Sequence, residues 1–162
     1  MLAGRLIDLI ESNWDSITAI TLRQVRREPA LAHIAGLPLA ELRGWAQEIL
    51  EHLGNWLTRS SVDELGDRYE SLGALRFDEG VPLAEAVRAL HILKAKVFDF
   101  IEQQAVDGSS SELYAEWDLH VRLGRFFDFL TCHLVAGYER ALRHSADLEA
   151  DMHRTPKRRA MR

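Results

Sequence analysis

Residues 39–57 read LAELRGWAQEILEHLGNWL, and their spacing decides the fold. Advancing 100° per residue, as an α-helix does, gathers Leu39, Leu42, Trp45, Ala46, Ile49, Leu50, Leu53, Trp56 and Leu57 in one arc. Gln47, Glu48, Glu51 and Asn55 fall opposite. This is the cleanest amphipathic pattern in the chain, and it predicts a helix from Pro38 to about Thr58.

Outward from it, the same period predicts four more helices. Toward the N-terminus, Leu2, Leu6, Leu9, Ile10, Ile17, Ile20 and Thr21 share a face over Leu2–Arg27. Pro29 closes that helix, because proline lacks a donor and disfavours helix at the residue before it. Downstream, Leu65, Tyr69, Leu72 and Leu75 point inward on a helix over 62–79. Ser61 and Glu64 have capping-box spacing at its start, and Gly80 offers a stop. A helix from Pro82 to about Ala105 is apolar over most of its circumference, which places it in the middle of a bundle. A last helix runs from Ser111 to Leu148, roughly 57 Å at ~1.5 Å per residue, and its far end projects. Gly36-Leu37-Pro38-Leu39-Ala40-Glu41 and Gly80-Val81-Pro82-Leu83-Ala84-Glu85 are matching helix starts, each with proline at the entry and a glutamate near the positive dipole end. The expectation is an all-α five-helix bundle over residues 1–148 with a long C-terminal helix. Residues 149–162 are expected to be a basic, disordered tail.

The 162 residues suit one domain, and 47% hydrophobic with 28% charged content supports a packed core. No stretch reaches the ~18 apolar residues of a membrane span, and the acidic, Trp-containing N-terminus is no signal peptide. The expectation is therefore a soluble, cytoplasmic protein. The net charge of −5 hides a division: residues 151–162 hold five basic and one acidic side chain, leaving −9 on the rest. Such a body repels nucleic-acid phosphate.

Catalytic constellations are missing. No glutamate is followed three residues later by histidine, and no two histidines lie three or four apart, so no helical metal site is expected. The single Cys132 excludes an internal disulfide, and its neighbour His133 points about 100° away on a helix. His91 lies at the edge of an apolar arc, between Arg88 and Lys94, and reads as an interface or boundary histidine. His120 lies in the core arc of the last helix, in line with the small Gly124 and Thr131. It could face a cavity for a ligand or haem iron, or bond a backbone carbonyl while Gly124 admits a neighbouring helix. Arg76 projects inward, and a buried arginine requires a carboxylate; Glu79 and Glu85 are the candidates for an ion pair. Val121, Phe129 and Cys132 fall outside the apolar arc of the last helix, which suggests a partner helix, most simply from a second copy.

The segment YESLGALRFDEGVPL at 69–83, continuing as AVRALHILK at 86–94, resembles the N-terminal helical domain of RsbR-type co-antagonists, a bacterial signalling family. Ile10-Glu11-Ser12-Asn13-Trp14 and Phe126-Phe127-Asp128 fit the same likeness more loosely, extending it over about residues 1–145. The resemblance implies a non-enzymatic sensory or interaction domain, globin-like but without haem or other cofactor, that pairs as a dimer and influences a partner regulator. No effector domain is expected after residue 148, which leaves the route of output open. The expected working surface is the Gly80–Lys94 helix start, with Arg88, His91 and Lys94, together with the projecting part of the last helix and Phe129 on it; Arg76, Glu79, Gly80 and Pro82 are expected to be structural. The alternative is a gas or small-ligand sensor with His120 or His91 on haem.

Overall fold

A computed structural model of the chain describes residues 2–58, 62–104 and 108–154. Among the described residues there are eight α-helices, one 3-10 turn and no strand. The all-α bundle with a long last helix is as expected, but two of the five expected helices are broken.

The first break separates α1 (Leu2–Ser12) from α2 (Trp14–Arg27). Asn13 leaves helical geometry at φ −112°, ψ 21°. Its side-chain amide donates to the Leu9 carbonyl at 2.8 Å, and Ser12 Oγ donates to the Asp8 carbonyl at 2.7 Å. Short polar side chains thus compete with the backbone for the carbonyls of the last turn. The new axis of α2 buries Ile17, Thr18, Thr21, Leu22 and Val25 and leaves Ile20 in solvent. A 3-10 turn (Pro29–Leu31) and a one-turn helix α3 (Ala32–Ala35) follow where no element was expected.

The second break falls at His52, φ −123°, between α4 (Leu39–Leu50) and α5 (Leu53–Trp56). Leu53 and Trp56 remain buried, and the Trp56 indole N–H ties the break by donating to the Glu48 carbonyl at 2.9 Å. Leu39, placed in the apolar arc by spacing, is exposed at the helix start, as is Leu75 on α6.

α6 (Val62–Asp78) stops where glycine signals it. Gly80 takes φ 72°, Val81 N–H bonds the Arg76 carbonyl and Gly80 N–H bonds the Phe77 carbonyl, the Schellman arrangement. The expected Ser61 cap lies outside the described residues. α7 (Leu83–Gln104) is central, burying Ala86, Ala89, Leu90, Leu93, Val97 and Ile101. α8 (Ser110–Arg154) has 45 residues, about 68 Å at the usual rise. It continues past the expected end at Leu148 because no helix breaker precedes Pro156. Residues 155–162, the rest of the expected tail, lie outside the described residues.

α6 and α8 touch backbone to backbone. A Cβ on Gly73 would lie 2.1 Å from the Leu134 carbonyl oxygen, and one on Gly137 would lie 1.9 Å from that of Glu70. No side chain fits either place, so both positions require glycine. The expected close contact at Gly124 is not there: a Cβ would meet no atom within 4 Å. No helix among the described residues is long and apolar enough to cross a membrane.

Candidate functional site

Arg76 is the most buried charge, with 2% of its surface exposed. Its Nη1 donates to Glu79 Oε1 at 2.7 Å and to Glu41 Oε1 at 2.6 Å. Of the two candidates from sequence, Glu79 pairs with Arg76 and Glu85 does not. Instead Glu85 reaches from the first turn of α7 to α3, accepting the backbone N–H groups of His33 and Ile34, both at 3.0 Å, and pairing with His33 Nδ1 at 2.8 Å. Glu41 and Glu85 are the equivalent residues of the two matching helix starts. Each leaves its own helix to bind a different element.

The two carboxyls around Arg76 also contact each other. The hydrogen bond from Glu79 holds Glu41 below the usual carboxylate range, whereas burial, aided by Glu41, pushes Glu79 above it.

A groove of about 530 Å³ opens beside this cluster between α4 and α6. Trp45, Tyr69 and Leu72 wall it, and the exposed Glu48, Glu64 and Asp67 rim it. Arg68 binds two of the rim carboxylates, Glu48 and Glu64, and stacks over Trp56 at 5.6 Å. The Tyr69 hydroxyl is buried, with the Trp45 side chain as its hydrogen-bonding neighbour. Burial pushes this phenol well above its ordinary range, against a lowering pull from the neighbouring Trp45.

The expected surface residues are each engaged within the chain. Arg88 pairs with Glu28 at 2.9 Å, and Lys94 lies 3.9 Å from Asp128 and 5.8 Å from the Phe98 ring centre. His91 contacts Thr131 Oγ1 at 3.3 Å, and partial burial, with Lys94 adding to it, holds its imidazole below the ordinary range. Phe129 is half-buried with its ring 4.4 Å from that of His133. Pro82 is exposed at the entrance to α7.

His120 is half-buried, with Nδ1 2.9 Å from the Glu116 carbonyl and its ring 5.0 Å from Phe98. It has the backbone bond of a satisfied histidine, and beside it Gly124 faces open space. Among the described residues, no group of three or more His, Cys, Asp or Glu is placed to hold a metal ion.

Sequence reasoning missed the most exposed apolar groups. Tyr114 and Trp117 on α8 are 74% and 68% exposed, and Leu113, Leu142, Leu148 and Met152 on the same helix are exposed too. Their positions 114, 117 and 142 fall in line with the half-buried Val121 and Val135 and the exposed Cys132, in steps of three and four or multiples of them. An aromatic next to charged neighbours at a helix start does not announce its exposure, because the core arc of α8 is set only by the residues after Leu119.

A family model described as RsbT co-antagonist protein rsbRD N-terminal domain matches residues 15–152. No curated protein and no solved structure matches the chain.

Proposed function

We propose, on the premise that the chain belongs to the family of RsbT co-antagonist RsbRD N-terminal domains, that it is a bacterial cytoplasmic signalling domain that regulates a protein partner by contact. It performs no catalysis, needs no cofactor, binds neither membrane nor nucleic acid, and works as a homodimer.

The observation that carries the contact reading is the solvent side of α8. Tyr114 and Trp117 are exposed, and they begin a line that runs on through Val121, Cys132, Val135 and Leu142. Arg125 and Asp128 interrupt the line midway. Across a two-fold axis Arg125 of one copy can pair with Asp128 of the other, which favours a second identical chain as the occupant. His91 and Lys94, held by Thr131 and Asp128 of α8, border this surface, while Arg88 is held by Glu28. Phe129 supports α8 from the flank.

Sedimentation velocity at micromolar concentration tests the dimer. The wild type is expected to sediment as a dimer and Trp117→Glu as a helical monomer. A monomeric wild type would contradict the reading.

A further inference from the structure

We propose that the outward face of α2 docks an acidic segment of a protein partner. This deepens the regulatory contact proposed above. It takes from that reading only that a partner exists, and it uses a surface other than the line along α8.

Helical spacing sets the face. α2 packs its buried side on α7 and α4. Opposite that side, Ser16, Ala19, Ile20, Arg23, Arg26 and Arg27 fall within about one third of the circumference, and all six are exposed. Residues 14–27 carry the three arginines against Asp15 alone, a net +2, whereas residues 1–150 together carry −9.

What marks these arginines is that no carboxylate takes them. Acidic side chains outnumber basic ones by 25 to 20 in the chain, and Arg68, Arg76, Arg88, Arg140 and Arg143 each hold at least one. Among the described residues, Arg23, Arg26 and Arg27 hold none. Glu28, the next residue in the chain, turns to Arg88 and Gln24 instead, and Asp15 accepts the Ser16 N–H. Arg26 and Arg27 lie in the last turn, where cations suit the helix dipole. Arg23 lies before that turn, so the dipole does not account for it. The face presents guanidinium forks with free donors, and a carboxylate matches that fork with two parallel hydrogen bonds.

Two observations make the occupant a protein segment. Ile20, 47% exposed, stands among the arginines and favours an apolar side chain set between the carboxylates, which a sugar-phosphate chain does not carry. A nucleic acid or an anionic membrane would also extend beyond α2 over a body of net negative charge, which repels it. A short acidic segment ends where the face ends.

Fluorescence anisotropy of the full chain tests the site, with a labelled peptide as long as the face that carries leucine at every fourth place and glutamate elsewhere. The expected result is saturable binding, absent when glutamine replaces the glutamates. Arg23→Ala with Arg27→Ala is expected to weaken binding by about tenfold or more, the loss of charge-assisted hydrogen bonds. Arg140→Ala with Arg143→Ala removes the same charge from α8 and is expected to bind as the wild type does. Alanine favours helix, so the α2 variant keeps its helical circular dichroism, which separates lost binding from lost fold. Trp117→Glu is expected to bind the peptide normally, so a failure of pairing along α8 and a failure of this site are read separately. No saturation, equal binding of the glutamine peptide, or the same affinity in both arginine variants would overturn the proposal. Tighter binding of single-stranded DNA or phosphatidylglycerol vesicles than of the peptide, lost in the α2 variant, would overturn it by assigning the face to phosphate. Assembly of the wild type beyond a dimer, reversed by the α2 variant, would overturn it by giving the face to a second copy of the chain.

Discussion

One nitrogen of Arg76 serves two carboxylates: Nη1 lies 2.6 Å from Glu41 of α4 and 2.7 Å from Glu79 of its own helix. The guanidinium is buried and the carboxylates are only partly so. The arginine therefore depends on the pair more than either glutamate depends on it. Removing one glutamate leaves the guanidinium compensated, whereas removing both leaves a buried charge alone. Urea unfolding of Glu41→Gln should show a loss of about 1 kcal/mol. The double variant Glu41→Gln with Glu79→Gln should lose about 3–5 kcal/mol, more than its single variants together. Strict additivity would mean that Arg76 reaches solvent once released.

The same pair gives stability an acid-side signature. Glu79 is raised by burial and by Glu41, so its contribution is complete below its unfolded value and disappears as pH rises through its folded value. Glu41 is lowered, chiefly by the hydrogen bond from Glu79, so its contribution is present above its unfolded value and is lost as pH falls through its folded value. Glu79→Gln keeps the neutral form at every pH. Stability profiles should show the wild type losing ground to this variant as pH rises above about 4.5, the ordinary glutamate value. Parallel profiles would contradict a raised Glu79.

Glycines on α6 and α8 divide sharply. Gly73→Ala or Gly137→Ala drives a methyl into a carbonyl of the facing helix and should cost several kcal/mol, on the order of other overpacked cores. Gly124→Ala meets nothing and should stabilise by roughly 0.5–1 kcal/mol through helix propensity. Thermal unfolding of the three variants checks both signs.

What was legible in the sequence was what local chemistry writes locally. Gly80 and Pro82 marked the turn between α6 and α7 because only particular backbones tolerate them. The inward Arg76 stood out because its neighbours at helical spacing are apolar. The breaks at Asn13 and His52 carried no proline or glycine, and the apolar period runs straight through both, so two helices each appeared as one. Glu41 could not be chosen over Glu85 without the third dimension, since both occupy the same position in matching helix starts. Gly73 and Gly137 gave no sign either: a helical glycine looks the same in sequence whether it faces a carbonyl or, like Gly124, open space.

Haem binding is expected to fail. His120 already pairs with the Glu116 carbonyl and lies against Phe98, and His91 contacts Thr131 at the surface. Visible absorption of the protein after adding haem should show no ligand-bound Soret band that disappears in His120→Ala. Such a band would restore the sensor-by-haem alternative.

The solvent side of α8 can be read directly through Cys132, the chain's only cysteine and an exposed one in line with Tyr114 and Trp117. A spin label attached there reports the distance between protomers by pulsed dipolar spectroscopy. If two copies pair along α8, whose axes would then lie about 8–10 Å apart, the labels should give one narrow distance of about 20–30 Å that disappears in Trp117→Glu. No dipolar coupling, or a distance unchanged by Trp117→Glu, would contradict pairing through this helix.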